Sequence, residues 1–210
     1  MYYDPRTEPH NLAHNPLTSL VVPRPIGWIS TLGPGGMVNL APYSFFNMVS
    51  ALPPFVLFGS NPKKHSQANA EARGEFVVSM ATLELCEYVN QTGAPYAPEV
   101  SEPQAVGLDM LPSRNVKPPR VARSPVALEC KYFKTVDLVP SNGKPSDSAI
   151  IIGEVVGIYI DDAYISKGMV DYVRMAPLAR LGYLDYGVVE RVFPMVMPGY
   201  APIANDDGTT

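Results

Sequence analysis

Proline is the residue that most restricts what this chain can fold into, because 23 of its 210 residues are proline. That share is about twice the typical one. Proline interrupts helices and cannot donate a hydrogen bond to the ladder of a central strand. A mostly helical fold is therefore excluded, and the sequence predicts short strands joined by shaped loops.

Charge and cysteine content narrow the class of protein. The net charge of −4 makes nucleic acids and acidic membrane surfaces poor partners. Cys86 and Cys130 form neither a CxxC pair nor a zinc spacing, and both lie in apolar runs. We therefore expect buried free thiols and no metal site, in a protein of the reducing cytoplasm. No apolar stretch near Met1 resembles a signal peptide, and no run is long enough to predict a membrane span.

Alternating hydrophobicity and turn residues predict about six or seven short strands and two small helices. Ser66 and Thr82 are the predicted helix N-caps, and Gly74 and Gly93 are the predicted stops. The strands are predicted over residues 17–22, 26–32, 37–41, 55–59, 76–81, 126–136 and 149–160, and the helices over 67–73 and 83–91. This pattern predicts a mainly β fold, a small β-barrel with short helices at its rim.

We expect one domain over residues 1–190, which includes a polar N-terminal arm, and a C-terminal tail over 191–210 that is extended or disordered. Residues 94–125 contain seven prolines and show little periodicity. A connection of this length inside a compact domain is often functional. We expect it to wrap over the barrel or a partner subunit, with Glu99 and Glu102 as surface acids.

The turn over residues 60–66, with the sequence SNPKKHS, is the best candidate for chemistry. Lys63 and Lys64 supply positive charge, and Ser60 and Ser66 supply hydroxyl donors. The predicted helix start adds free N–H groups and the positive end of the helix dipole. Together these groups predict a site for a terminal phosphate. The alternative is a solvated surface turn before a capped helix.

The hairpin over residues 24–44 is the second candidate. It contains Trp28, the only tryptophan of the chain, as well as Asn39, and Pro42 is expected to break its second strand. A planar, polar ring system needs a flat apolar wall and unpaired strand amides for its edge atoms. The hairpin could supply both. The alternative is that Trp28 simply packs in the core.

These two regions also resemble the motifs of the flavin reductase-like, FMN-binding split β-barrel proteins. The most specific blocks are residues 23–31 (PRPIGWIST) and 38–46 (VNLAPYSFF). Further matches follow in order at residues 53–54, 63–64, 74–78 (GEFVV), 117–121 (KPPRV), 124–130 (SPVALEC), 152–156 (IGEVV) and 177–182 (PLARLG). The resemblance covers about residues 1–190.

The resemblance implies a split β-barrel of Greek-key type and a homodimer that binds FMN near the subunit interface. It places the flavin ring against the first hairpin strand and the segment after the hairpin. It places the phosphate on the turn over residues 60–66, called the lysine turn below. Tyr183 falls near the flavin or the other subunit, and His65 stands where relatives commonly have an acidic residue. The implied FMN-binding residues are Trp28, Ile29, Ser30, Asn39, Ala41, Ser44, Phe45, Ser60, Lys63, Lys64, Ser66 and Arg180.

The same resemblance implies a flavin-dependent oxidoreductase that passes electrons from NADH or NADPH to flavin and on to a small-molecule or protein acceptor. The flavin itself performs the hydride chemistry, so no catalytic side chain is assigned. One alternative is a non-catalytic FMN-binding electron carrier that another reductase feeds. Another is a barrel with an empty pocket and a structural or interaction role. The sequence contains no nicotinamide fingerprint that would separate the first two.

Overall fold

The computed structural model describes residues 1–199, and most of the regular structure in this part of the chain is strand. The strands are β1 Arg24–Pro25, β2 Gly27–Leu32, β3 Val38–Tyr43, β4 Phe46–Ala51, β5 Pro54–Ser60, β6 Glu75–Met80, β7 Met110–Leu111, β8 Arg120–Val121, β9 Val126–Asp137, β10 Ala149–Ile160, β11 Ile165–Ser166, β12 Met169–Val170, β13 Leu178–Arg180 and β14 Tyr186–Val188. The helices are α1 Leu17–Leu20, α2 His65–Arg73, α3 Cys86–Gln91 and α4 Glu102–Ala105, and short 3-10 turns cover Pro34–Gly36, Leu83–Leu85 and Asp162–Tyr164.

The main sheet has seven antiparallel strands in the order β3-β2-β6-β9-β10-β5-β4. Its outermost strands, β3 and β4, are consecutive in the chain and are joined only by residues 44–45. The Gly59 N–H in β5 also donates to the Phe45 carbonyl oxygen at 2.7 Å. These links bring the two edges of the sheet together, and α2 packs against β2 and β3. The prediction of a mainly β barrel with short helices is confirmed.

Pro42 does not break β3, contrary to the expectation from sequence. It pairs with Trp28 across the β2–β3 hairpin. The N–H of Leu40, two residues earlier, donates to the Glu102 carboxylate on the outer side of β3. Because backbone direction alternates along an antiparallel strand, Pro42 also faces away from β2. Since β3 is an edge strand, the missing N–H removes no ladder hydrogen bond.

Two further local predictions are wrong. Residues 17–22 form no strand, and part of this segment is the helix α1. Ser66 is not the N-cap of α2, which begins after Lys64 with no side-chain cap. Instead, the Ser66 hydroxyl accepts a hydrogen bond of 2.9 Å from the Asn39 side chain. Ser66 therefore ties the helix start to β3.

The predicted helix ends agree better with the structure. Gly74 ends α2 in the left-handed conformation with φ of 73°, and its N–H donates to the Ala70 carbonyl oxygen. The second predicted helix is split into the 3-10 turn over Leu83–Leu85 and the helix α3, and the Thr82 side chain makes no cap hydrogen bond. Glycine at a C-terminus is thus the more dependable signal in this chain.

A buried arginine joins the N-terminal helix to a C-terminal turn. Arg24 is 7% exposed. Its guanidinium donates to the carbonyl oxygens of Thr18, Val21 and Leu181. A Cβ atom on Gly182 would lie 2.6 Å from the Cβ atom of Ser19, so these segments approach too closely for a side chain there. Arg24 therefore connects the segment before β1 to the turn after β13.

The core consists of two main apolar clusters on the two sides of the β2–β3 hairpin. In one of them the Phe58 ring packs at a tilt against Tyr43, 4.8 Å away, and edge-on against Phe76, 5.5 Å away. In the other, the fully buried Trp28 packs with Leu85 and neighbours from α3. Truncating a buried aromatic side chain costs about 3–5 kcal/mol. Both faces of the β2–β3 hairpin therefore contribute to the stability of the fold.

Residues 94–125 pack against the barrel of their own chain. This connection contains α4, β7 and β8, and α4 contacts β3. The Ser101 hydroxyl donates to the Val38 carbonyl oxygen at 2.8 Å, next to the Leu40–Glu102 bond. The connection thus covers the first half of the outer edge of β3, and the second half borders an opening.

No helix among residues 1–199 is both long and apolar enough to span a membrane. Residues 191–199, the start of the predicted tail, form neither helix nor strand. The rest of that tail, residues 200–210, lies outside the described residues.

Candidate functional site

A cleft of about 340 Å³ lies between the outer edge of β3, the turn before α2 and the segment after α3. Its volume falls in the range of roughly 300–1,000 Å³ that is typical of small-molecule sites. The lining residues are Asn39, Ala41, Pro42, Tyr43, Lys63, Lys64, His65, Ser66, Thr92, Gly93, Ala94, Pro95, Tyr96 and Glu102.

The predicted site residues that meet in this cleft come from β3 and from the lysine turn. They are Asn39, Ala41, Lys63, Lys64 and Ser66. The nine-residue helix α2 starts at the cleft, so free N–H groups and the positive end of its dipole lie there. The Lys64 side chain is in no ion pair within residues 1–199. These donors are what a phosphate group requires.

Lys63 differs from Lys64 because its ammonium group already forms an ion pair with a carboxylate of the same chain. Its Nζ lies 2.5 Å from Glu71 Oε2. The Glu71 carboxylate also accepts hydrogen bonds from Gln67 at 2.9 Å and from Thr135 at 2.8 Å. Burial alone would raise the pKa of Glu71, but these hydrogen bonds, with that from Lys63 foremost, hold the pKa below its ordinary value. Glu71 therefore stays ionised and competes for Lys63.

Glu102 supplies an acidic group to the opposite wall, although we expected a surface acid. It is 5% exposed, and Oε2 accepts the Leu40 N–H at 2.9 Å. Burial raises the pKa of Glu102, and the bond from Leu40 opposes that effect. The carboxylate fastens α4 to β3 beside the cleft. It thereby holds in place the connection that also supplies Tyr96 to the wall.

Trp28 lies behind the cleft and does not line it. Its side chain is fully buried, and Nε1 donates to Thr92 Oγ1 at 2.9 Å. Thr92 lines the cleft and is itself 1% exposed. The core-packing alternative for Trp28 thus describes this chain. The indole supports the wall through a hydrogen bond rather than forming its surface.

The two neighbours of Trp28 are also buried in the sheet. Ile29 and Ser30 are fully buried in β2, which is paired on both sides, with β3 and with β6. The Ser30 hydroxyl donates to the Pro119 carbonyl oxygen. These side chains therefore stand in the barrel wall and do not line the cleft in the single chain.

The remaining predicted residues lie apart from the cleft. The Ser60 hydroxyl is buried and donates to the Pro62 carbonyl oxygen at 3.0 Å, so it shapes the lysine turn. Ser44 and Phe45 connect β3 to β4, and Phe45 is 55% exposed. Arg180 lines a different cleft, of about 520 Å³, with its guanidinium over the Tyr186 ring at 4.5 Å.

Sequence reasoning missed several residues of the cleft. Tyr43 stands inside the motif VNLAPYSFF, but nothing in that motif shows which side chains face the cleft. Thr92 and Tyr96 follow α3, and Glu102 begins α4. The proline-rich stretch over 94–125, which we expected to be functional, supplies four of the lining residues. Only the packing shows which of its side chains reach the site.

The profile of the flavin reductase like domain family matches residues 19–177. An uncharacterised protein of Aquifex aeolicus is 37% identical over 169 residues, which span 78% of this chain and 83% of that protein.

Solved structures resemble the barrel over nearly its full length. Nitrilotriacetate monooxygenase component B from Bacillus cereus has a TM-score of 0.85 and 26% identity, with 93% of this chain and 98% of that chain covered. A 2-nitrobenzoate 2-nitroreductase from Pseudomonas fluorescens has a TM-score of 0.78 and 30% identity, with coverage of 90% and 91%.

Proposed function

Because this chain belongs to the flavin reductase-like family, we propose that it is a flavin-dependent oxidoreductase that binds FMN in the cleft beside α2. The observation that supports this most directly is the convergence of Lys64, Ser66 and the start of α2 on one opening. The two named structural relatives above, a monooxygenase component and a nitroreductase, support redox chemistry.

The residues of the cleft suit the two ends of FMN. Lys64, Ser66 and the first N–H groups of α2 would hold the phosphate. The outer edge of β3, where Pro42 faces away from β2, and the wall with Tyr96 would hold the ring system. When bound, the flavin supplies hydride and electron transfer, and the protein positions it and limits its contact with water.

We propose that NADH or NADPH reduces the flavin and that a small-molecule or protein acceptor receives the electrons. The test mixes purified protein with FMN and each nicotinamide and follows the loss of flavin absorbance. We expect bleaching faster than with free FMN alone. Bound yellow flavin without such bleaching would instead support an electron carrier that another protein reduces, and a colourless protein without FMN affinity would exclude both.

A homodimer is part of this proposal, because apolar side chains are exposed on and beside β4. Met48, Val49 and Leu52 are 63%, 53% and 93% exposed, and Phe45 adds to them. Large apolar patches on soluble proteins commonly mark interaction sites. Light scattering should give the molar mass of two chains, and Met48→Glu should shift it toward one chain. A wild-type protein with the mass of one chain would rule the homodimer out.

Glu71→Gln is expected to lower the Kd for FMN about three- to fivefold, because Lys63 then becomes free to meet the phosphate. Riboflavin lacks the phosphate, so its Kd should not change. Glu75→Gln is the matched control, since Glu75 pairs with Lys131 at 2.5 Å outside the cleft. Titration by flavin fluorescence measures the Kd for FMN and for riboflavin in the wild type and in both variants. An unchanged Kd for FMN in Glu71→Gln would show that Lys63 takes no part.

A further inference from the structure

His65 places an accessible imidazole at the cleft, at the start of α2. The side chain is exposed and lines the cleft, and its ring makes no hydrogen bond with any described residue. Other side chains of the lysine turn already have partners within the chain. Lys63 is paired with Glu71. Ser66 accepts a hydrogen bond from Asn39. The imidazole of His65 is therefore available to a ligand in the cleft.

The opposite wall of the cleft carries a carboxyl group that interacts with His65. Burial raises the pKa of Glu102, whereas the hydrogen bond from the Leu40 N–H and the charge of His65 lower it. His65 and Glu102 therefore lie close enough for their charges to interact. An ionised Glu102 repels a phosphate, but it also stabilises a positive charge on a nearby imidazole.

The positive charge of the lysine turn is too small to balance a phosphate. Near neutral pH a phosphate monoester carries about 1.5 to 2 negative charges. The ion pair with Glu71 neutralises Lys63, so Lys64 brings one uncompensated ammonium group, which an ionised Glu102 offsets. An imidazole ordinarily changes its charge between about pH 5 and 8. His65 can therefore supply a second positive charge when a phosphate is bound.

Among residues 1–199, five other titratable groups line the cleft with His65. They are the ammonium groups of Lys63 and Lys64, the carboxyl group of Glu102 and the phenols of Tyr43 and Tyr96. The ammonium groups and the positive end of the α2 dipole oppose a proton on the imidazole in the empty cleft. The carboxylate favours that proton, and phenols are uncharged near neutral pH. A phosphate beside the ring would shift this balance toward the protonated imidazole.

We propose that His65 is a phosphate-binding residue whose imidazole takes up a proton from the solvent as FMN binds and then donates a hydrogen bond to a phosphate oxygen. This inference rests on the proposed FMN function and adds a pH-dependent residue to the same cleft. The contact contributes fully at low pH, where the ring is charged with and without FMN. It is lost as the pH rises and the ring of the complex releases its proton.

The first test compares the Kd for FMN of the wild type and of His65→Asn at several pH values. Because the phosphate itself titrates near pH 6, the ratio of the two Kd values is followed. His65→Asn should bind FMN about tenfold more weakly at about pH 6 and within about twofold at about pH 8.5. The Kd for riboflavin should be the same in both proteins at every pH. His10→Asn is the control, because His10 lies in the N-terminal arm outside the cleft.

Calorimetry measures the proton directly. FMN is titrated into each protein at about pH 7.5 in buffers of different ionisation enthalpy, and the dependence of the heat on the buffer gives the number of protons taken up. The wild type should take up a fraction of a proton with FMN and close to none with riboflavin. His65→Asn should take up close to none with FMN. His65→Arg has a fixed charge, so it should bind FMN without proton uptake and should restore tight binding at high pH.

Each other outcome overturns the proposal. A Kd ratio that does not change with pH would show that the imidazole makes no contact with the phosphate. Proton uptake that persists in His65→Asn would assign the proton to Glu102. Equal losses for FMN and riboflavin, or no recovery in His65→Arg, would show a structural role for His65. If the wild type binds no FMN, the proposed function itself fails, whereas FMN binding with the same pH dependence in wild type and His65→Asn removes only the role of His65.

Discussion

Replacing Lys64 with alanine is expected to raise the Kd for FMN by about ten- to a hundredfold, the largest binding effect of any single change at the cleft. Lys63 is paired with Glu71, so Lys64 supplies the free positive charge of the lysine turn. A phosphate bound without it would keep only imidazole, hydroxyl and backbone donors. Riboflavin binding should remain within about twofold, since the lost contact is to the phosphate.

Fluorescence titration of both flavins against wild type and Lys64→Ala gives the comparison. Lys134→Ala serves as the control, because Lys134 is an exposed lysine of β9 outside the cleft. Raising the salt concentration should weaken FMN binding to the wild type more than to Lys64→Ala. Unchanged FMN affinity in Lys64→Ala would place the phosphate elsewhere, and an equal loss for riboflavin would indicate a damaged fold.

Arg24→Ala is expected to lower the free energy of unfolding by about 2–4 kcal/mol. The guanidinium satisfies the three carbonyl groups that join α1 and the residue after it to the turn following β13. Alanine would leave these partly buried oxygens without the donors they have in the wild type. It would also release the close contact of Ser19 with Gly182. The N-terminal segment should then separate from the C-terminal turn.

Urea denaturation at fixed protein concentration and without FMN measures this loss. Arg6→Ala is the control on the same arm, because Arg6 forms an exposed ion pair with Asp4 and should change stability by less than about 0.5 kcal/mol. Arg24→Lys should fall between the two, since an ammonium keeps the charge but not the planar fork. If Arg24→Ala lowers the free energy of unfolding by less than about 1 kcal/mol, Arg24 does not hold the two segments together.

The long strands and the glycine-ended helix could be predicted because their signals are local. β9 and β10 follow from strong β-rich runs, and Gly74 marks the end of α2. Pro42 was misjudged, because its effect depends on which side of β3 the missing N–H faces, and that follows from pairing with Trp28. The helix α1 was missed because residues 17–22 have β-rich composition, whereas in the structure the carbonyl oxygens of Thr18 and Val21 accept hydrogen bonds from the buried Arg24 side chain.

The structure brings the residues expected at the phosphate end together in one cleft, whereas the indole expected at the ring end lies behind its wall. Lys64 and Ser66 are neighbours in sequence and also in the cleft. Trp28 was expected to form a wall for the flavin ring. The alternation of side chains in β2 does not show which of the two core clusters contains the indole. Glu102 and Tyr96 reach the cleft through a proline-rich connection whose path depends on tertiary contacts. Such contacts join residues far apart in the chain and leave no local pattern.

The hydrogen bond between Trp28 and Thr92 has a practical consequence. Trp28 is the chain's sole tryptophan, so all indole emission comes from one buried position directly behind the cleft wall. Flavins absorb light where indole emits, so an occupied cleft should quench this emission by energy transfer. The fluorescence of Trp28 therefore reports how much of the protein has flavin bound. It needs no added label and can follow binding and release in real time.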